Sequence, residues 1–338
     1  MRRLTILFVA ALSLVGAALP NALAQSGGAA PEADRRAEEM LSAVVRVRMK
    51  AIDGARSNAS LGATREGSGV VINEDGYIVT IGYVVMEASA IEVVTQDNRV
   101  VPARLAAYDH ASGFGLLRAL APLNVTPMKL GQSAELQQRE PVMVLPAGGR
   151  EAASVAYVVS KRRFTGSWEY LLESAIFTSP PTMQWAGAAL VNKEGLLVGI
   201  GSLLVRETAE PGTALPGNMF VPIDELKPIL PDLIAKGRRA EPPRPWLGVA
   251  TEELQGRLFV TRVSPESPAD KAGMRAGDIV LGVGGQPVRN HVEFYERVWA
   301  RGAAGASVPL RVLQGAEMKD ITVRSIDRFD YFKERPTY

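Results

Sequence analysis

The sequence predicts a mainly β protein that carries a second, smaller domain at its C-terminal end. From about residue 44, short aliphatic runs such as Gly69–Ile72, Ile91–Val94 and Pro141–Leu145 alternate with Gly, Asp and Asn. Many short strands at near-regular spacing favour an antiparallel barrel or sandwich. Residues 237–245 contain three prolines and four charges, which is typical of an extended linker between domains.

The first 24 residues have the features of a secretory signal peptide. Two arginines precede an apolar run from Leu4 to Leu19, and Ala22-Leu23-Ala24 forms a small-residue cleavage site. The run is short for a bilayer span, so we expect cleavage, no stable membrane span, and a periplasmic or secreted location. An uncleaved membrane anchor is the alternative. Residues 25–37 are rich in Gly, Ala and Glu and predict a flexible linker.

Composition excludes several kinds of site. The 338 residues include no cysteine, so thiol nucleophiles, disulfides and thiolate metal sites are absent. The two histidines are far apart, with His110 predicted on a loop surface and His291 in the exposed first turn of a helix, and we expect no metal and no cofactor. The net charge is only +2, so we expect no nucleic-acid partner. The densest basic cluster, Lys161-Arg162-Arg163, is predicted to be a solvated turn.

Local patterns place the remaining elements. Glu38–Val45 predicts a short helix that runs into a strand, and Pro222–Lys236 predicts a helix with one leucine-rich face. Asn290 is predicted to cap a helix from His291 to Ala300. These elements divide the chain into a first domain, residues 38–236, the linker, a second domain, residues 246–327, and a partly disordered tail, residues 328–338.

Three segments of the first domain resemble the HtrA/Deg family of trypsin-like serine proteases. Residues 67–80 look like the first hairpin of that family, residues 109–117 match the segment that carries the catalytic aspartate, and residues 178–192 match the nucleophile loop. The resemblance implies a chymotrypsin-type double β-barrel over residues 38–236.

The second domain resembles the C-terminal α+β PDZ domain of the same family. Residues 246–249 match the carboxylate-binding loop, and residues 264–281 match the most specific signature. The resemblance implies backbone N–H groups that capture a C-terminal carboxylate while the peptide adds a strand. The predicted peptide-binding residues are Trp246, Leu247, Gly248, Val249, Val292 and Tyr295. The alternative is a domain that only packs against the barrel.

Three positions depart from the family pattern. Where the family has its catalytic histidine, aspartate and serine, this sequence has Tyr83, Gly113 and Ala186. Alanine carries no nucleophile, glycine cannot orient an imidazole, and a tyrosine with a pKa of about 10 is a poor proton acceptor at neutral pH. These departures predict that the chain is not an enzyme but an inactive homologue of a trypsin-like endopeptidase.

The sequence therefore predicts a periplasmic protein that binds peptides, protein C-termini or unfolded chains through its PDZ domain. It would act as a scaffold, a chaperone-like binder or a regulator of an active relative. The alternative is a serine endopeptidase of protein quality control that uses unrecognised catalytic residues. The resemblance also implies a homo-trimer or a mixed oligomer with an active relative.

Overall fold

The structure is a computed structural model that describes residues 29–332, so the predicted signal peptide, residues 1–24, lies outside the described residues. The chain divides into two compact units, with the boundary between Ala37 and Glu38. The described part of the first unit is helical, because α1 spans Ala29–Ser42. A flexible linker was expected there, but Ala, Glu and Arg dominate this stretch and favour a helix. Within residues 29–332, no helix is both long and apolar enough to cross a membrane.

The first barrel closes from six antiparallel strands in the order β1-β2-β3-β6-β5-β4. Its strands are β1 Val44–Ala51, β2 Thr64–Val71, β3 Tyr77–Ile81, β4 Ala88–Val94, β5 Val100–Tyr108 and β6 Phe114–Ala119. Two short helices lie in its loops, α2 Asn58–Leu61 and α3 Gly82–Val85. In β1, Val47 and Met49 are buried while Arg48 and Lys50 are exposed, the two-residue period of a strand with one buried face.

The second barrel closes in the order β10-β11-β12-β9-β8-β7, which confirms the predicted double β-barrel. Its strands are β7 Pro141–Leu145, β8 Ser154–Gly166, β9 Tyr170–Ser179, β10 Ala189–Val191, β11 Leu197–Val205 and β12 Gly217–Pro222. Short 3₁₀ helices span Ser133–Glu135, Gly149–Glu151 and Ile223–Glu225, and α4 spans Leu230–Lys236.

Two local predictions in this barrel are wrong. The helix predicted over Pro222–Lys236 is divided, because Pro228 cannot donate the backbone hydrogen bond that a continuous helix requires. Residues 161–163 lie on β8 instead of in a turn. The guanidinium carbon of Arg162 lies 4.0 Å from the centroid of the Phe177 ring, so this cation covers an aromatic side chain.

The C-terminal domain is a mixed α+β unit, as predicted. Its sheet has the order β13-β14-β15-β17-β18, with β16 paired to β15, so β13 is an edge strand. The strands are β13 Val249–Leu254, β14 Arg257–Val263, β15 Ile279–Val283, β16 Gln286–Pro287, β17 Ser307–Gln314 and β18 Glu317–Arg324. The helices are α5 Pro268–Lys271, α6 His291–Trp299 and α7 Arg328–Tyr331. The side chain of Asn290 accepts from the Glu293 N–H at 2.8 Å and caps α6.

The linker and the tail are more ordered than the sequence predicts. The carbonyl of Pro243 accepts from the Ala304 N–H at 2.8 Å, and the guanidinium of Arg244 lies 4.3 Å from the Trp299 ring centroid. The first residues of the predicted tail form α7, in which Tyr331 is buried. Residues 333–338 lie outside the described part of the chain. Backbone and side-chain contacts with the folded domains account for this order, and composition alone does not reveal them.

Candidate functional site

Tyr83 and Gly113 lie side by side at one end of the first barrel. Tyr83 is in α3, directly after Gly82, whose N–H donates to the Gly113 carbonyl at 2.7 Å. The Tyr83 hydroxyl donates to the Ser202 carbonyl on β11 at 2.8 Å, which joins the two barrels. Burial raises the pKa of the Tyr83 hydroxyl, so this group stays protonated at neutral pH.

Gly113 has a backbone that resists substitution. Its φ is +84°, and a Cβ at this position would lie 3.1 Å from the hydroxyl oxygen of Tyr170. Tyr170 lies at the start of β9 and donates to the Ser112 carbonyl at 2.5 Å. A larger side chain at Gly113 would be strained by its φ and would have to displace the Tyr170 ring.

Ala186 lies in a loop that backbone contacts hold tightly. Its carbonyl accepts from the Ser68 N–H at 2.8 Å, and the Gly187 N–H donates to the Gly201 carbonyl at 2.8 Å. Gly187 has a φ of +74°, and a Cβ there would lie 1.9 Å from the Ser68 carbonyl oxygen, so the loop shape requires glycine. The methyl side chain of Ala186 has no nucleophilic atom.

A cavity of about 860 Å³ connects these loops to the C-terminal domain. Its barrel side is lined by Tyr83, Gly113, Trp185, Ser202 and Leu204. Its opposite side is lined by Gly248, Val249 and Ala250, at the start of the edge strand β13. The structure therefore joins two of the three triad positions, Tyr83 and Gly113, to the predicted carboxylate-binding loop in one continuous space.

The predicted carboxylate-binding loop holds a carboxylate that belongs to the chain itself. The Oε1 atom of Glu169 accepts from the Gly248 N–H at 2.7 Å and from the Val249 N–H at 3.1 Å. Its Oε2 atom accepts from the Leu247 N–H at 2.9 Å. Glu169 is buried and lies in the hairpin turn between β8 and β9. Sequence reasoning missed this residue.

Gly248 gives this loop its shape. Its φ is +87°, and a Cβ there would lie 2.2 Å from the Cβ of Ser267. Only glycine meets both conditions, and the resulting backbone directs three successive N–H groups to one point. Such a concave run of N–H groups is an anion-binding arrangement.

The same hairpin contacts the rest of the predicted groove. The Ser167 carbonyl accepts from the Thr251 N–H on β13 at 3.1 Å. The Tyr295 hydroxyl on α6 donates to the Gly166 carbonyl at 2.6 Å and accepts from the Glu169 N–H at 3.3 Å. Residues 166–170, called the hairpin tip below, therefore lie against the loop, the edge strand and the helix.

The other predicted groove residues have varied positions. Trp246 is buried, and its ring centroid lies 4.6 Å from that of Tyr331. The Leu247 side chain is buried in the domain core, whereas Val292 is only partly buried against it. Tyr295 is almost fully buried under the hairpin tip.

The two histidines are less exposed than expected. His291 was predicted on the surface, but its Nε2 atom lies 3.0 Å from the Thr251 carbonyl because the first turn of α6 faces β13. His110 was predicted on a loop surface, but its ring centroid lies 4.2 Å from that of Tyr108 and 4.5 Å from that of Phe329. Burial lowers the pKa of His110 well below its usual range, and Arg328 and Arg238 lower it further.

Comparisons with known proteins agree with this geometry. Residues 67–200 match the trypsin-like peptidase domain family, and residues 245–324 match the PDZ domain family. The fold and the two domains define a trypsin-like peptidase domain followed by a PDZ domain. Across both domains, the chain is similar to proteins that are named DegP or HtrA-type proteases.

Named relatives match most of the length of this chain. The chain is 28% identical over 288 residues to a probable periplasmic serine protease do/HhoA-like of Haemophilus influenzae, covering 80% of this chain and 60% of that protein. It is 30% identical over 275 residues to the periplasmic serine endoprotease DegP of Salmonella typhimurium, covering 76% of this chain and 55% of that protein. The chain thus spans little more than half the length of these relatives.

A solved structure shows the same fold. The HtrA-type protease AlgW with a decapeptide superposes with a TM-score of 0.52 at 19% identity, covering 89% of this chain and 99% of that chain.

These relatives correct one prediction from the sequence. The departures at Tyr83, Gly113 and Ala186 predicted that the chain is not an enzyme. The relatives are named serine protease or serine endoprotease at 28–30% identity, and no observation on residues 29–332 positively shows that this chain is inactive. The prediction that the chain is not an enzyme is therefore wrong.

Proposed function

We propose that this chain captures the C-terminal ends of peptides or unfolded proteins in the periplasm through the loop Leu247–Val249. The observation that carries the proposal is that three consecutive N–H groups of this loop already bind one carboxylate, that of Glu169. A C-terminal carboxylate presents the same two oxygen atoms. The edge strand β13 could pair with the residues that precede it, as in strand addition.

The cavity supports a ligand longer than its terminal residue. An extended chain rises by about 3.3 Å per residue, so a peptide anchored at Gly248 would pass along the cavity within a few residues. Trp185 and Leu204 offer apolar walls, and Tyr83 and Gly113 shape the floor. In this proposal the chain acts as a scaffold, a chaperone-like binder or a regulator of a relative, alone or in a homo- or mixed oligomer.

Fluorescence anisotropy with a labelled decapeptide tests the binding. We expect a peptide with a free C-terminal carboxylate to bind at least about tenfold more tightly than the same peptide with a C-terminal amide, because the three N–H groups favour an anion. Gly248→Ala should abolish the difference, since its Cβ would collide with Ser267.

Gly256→Ala is the matched control for this substitution. Gly256 also has a positive φ, +68°, but no atom lies within 4 Å of a Cβ built there. We expect this variant to keep the preference for the free carboxylate. Equal affinity of the acid and amide peptides for every variant would contradict the proposal.

Hydrolysis is measured on the same preparation. Unfolded casein is incubated with the protein, with and without a serine-directed phosphonate. Turnover that the phosphonate abolishes would add a peptidase step to the binding role. Binding without turnover would leave capture as the whole activity of this preparation.

A further inference from the structure

We propose that the hairpin tip, residues 166–170, is an internal ligand that occupies the peptide groove, so that a chain end binds only by displacing it. This inference rests on the proposed peptide-binding function and adds its regulation. The competing ligand is a chain end: a C-terminal carboxylate and the extended backbone that precedes it.

Three separate contacts reproduce what a bound peptide would make. The Glu169 carboxylate takes the place of the terminal carboxylate. The Ser167 carbonyl accepts from Thr251 on the edge strand, where an added strand would pair. The Tyr295 hydroxyl on α6 holds the Gly166 carbonyl at 2.6 Å on the other side of the groove. A second chain cannot make these contacts while the hairpin tip makes them.

The conformation of Glu169 supports a specific role. Its φ is +59°, a left-handed value that a glutamate seldom adopts. The hairpin keeps this conformation, which directs the carboxylate into the loop. In a turn that only reverses the chain, glycine or asparagine is the usual residue at a position with this φ.

Further contacts hold the hairpin near the groove when the tip is displaced. Leu171 belongs to the buried cluster of the C-terminal domain. The Nη1 atom of Arg163 on β8 lies 3.1 Å from the Oε1 atom of Glu296 on α6. The tip therefore competes as an intramolecular ligand at high effective concentration. The apparent affinity for a free chain end is the intrinsic affinity multiplied by the fraction of molecules in which the groove is open, so a smaller open fraction gives weaker binding.

The test compares Glu169→Ala with wild type, using the labelled decapeptide that has a free carboxylate. We expect the variant to bind at least about tenfold more tightly, because removing the internal carboxylate raises the open fraction. Glu194→Ala is the matched control. Glu194 is an exposed glutamate in the turn between β10 and β11 of the same barrel and pairs with its neighbour Lys193, so the affinity of this variant should equal that of wild type.

Hydrogen exchange of the Leu247, Gly248 and Val249 amides gives an independent readout. These amides should be protected in wild type without peptide, exchange faster in Glu169→Ala, and regain protection when the decapeptide is added. Glu169→Gln keeps the size of the side chain but replaces one accepting oxygen with an NH₂ group that cannot accept from the loop. It should fall between the two and serves if the alanine variant does not fold.

The outcomes separate this inference from the proposed function. Equal peptide affinity of wild type and Glu169→Ala would overturn the internal ligand and leave peptide capture intact. Weaker binding by the variant would also overturn it, since Glu169 would then support the groove. Failure of both proteins to bind any peptide with a free carboxylate would contradict the proposed function itself.

Discussion

Two hydrogen bonds of 2.7 Å join the guanidinium of Arg239 to the carboxylate of Asp109. Asp109 is buried at the end of the first barrel and also accepts from the Ser112 N–H at 2.8 Å. Arg239 belongs to the linker between the barrels and the PDZ domain. The linker is therefore fixed to the first barrel by a buried, bidentate ion pair.

Asp109→Asn should destabilise the protein strongly. Removing one charge leaves the partly buried Arg239 with only the exposed Glu241 as a counter-ion, which costs up to about 3 kcal/mol of unfolding free energy. Guanidinium denaturation measures the loss. The control is Asp320→Asn, because Arg311 and Asp320 form a bidentate pair of the same chemistry on the exposed surface. That substitution should cost less than about 1 kcal/mol, and equal losses would contradict the role given to burial.

Tyr83→Phe should loosen the contact between the barrels. The variant removes the hydroxyl that donates to the Ser202 carbonyl and leaves that buried acceptor without this donor. We expect a loss of about 1–2 kcal/mol in unfolding free energy by urea denaturation. Tyr157→Phe, at an exposed position on β8, should change stability by less than about 0.5 kcal/mol. A Tyr83→Phe variant as stable as the Tyr157→Phe variant would refute the contact.

Docking of the hairpin tip should weaken as the pH rises. Burial raises the pKa of Glu169 to about 7, against the hydrogen bonds from Leu247, Gly248 and Val249 and the charge of Arg328, all of which lower it. A solvated glutamate has a pKa near 4.5. Between these values the docked state keeps a proton that the undocked state releases, so a higher pH favours undocking.

Hydrogen exchange at several pH values measures this dependence. The protection of the Leu247–Val249 amides, corrected for intrinsic exchange at each pH, should fall by about tenfold or more from pH 5.5 to 8 in wild type. Little further change is expected above pH 8. Glu169→Gln cannot titrate and should show no such fall. Protection that increases with pH would be inconsistent with a raised pKa.

His110 should make the folded protein sensitive to mild acid. Its pKa is lowered in the folded state, so the unfolded chain takes up the proton first as the pH falls below about 6.5. The contribution of His110 to stability is complete above that pH and decreases by up to about 1.4 kcal/mol per pH unit below it. His110→Phe should show a shallower loss between pH 7 and 5.5 by thermal or urea denaturation. Parallel curves for the two proteins would contradict the prediction.

The sequence predicts the architecture well because its signals are local. Glycine-bounded hairpins, the 264–281 signature and the Asn290 cap each depend on residues close together in the chain. The errors come from tertiary contacts. The sequence predicts that His110 and His291 are exposed, but α7 and β13 cover them. It also predicts an exposed linker, but Arg239 of that linker pairs with Asp109, 130 residues away.

Glu169 could not be found from sequence for the same reason. The segment Gly166-Ser167-Trp168-Glu169-Tyr170 contains no motif, and its contacts to the loop at Leu247 span 78 residues. Its role depends on a positive φ and on how the second barrel lies against the PDZ domain. One signal was present: an acidic residue in a tight hairpin turn of a chain that also has a loop built for carboxylates.

Glu169 and Tyr170 are neighbours in the chain but contact different domains. The side chain of Glu169 reaches into the PDZ loop, and the hydroxyl of Tyr170 props the Ser112 carbonyl beside Gly113. One peptide bond therefore joins a residue that contacts the PDZ loop to a residue that contacts the loop at Gly113. Because that bond is short and planar, the position of Glu169 restricts where the Tyr170 hydroxyl can lie.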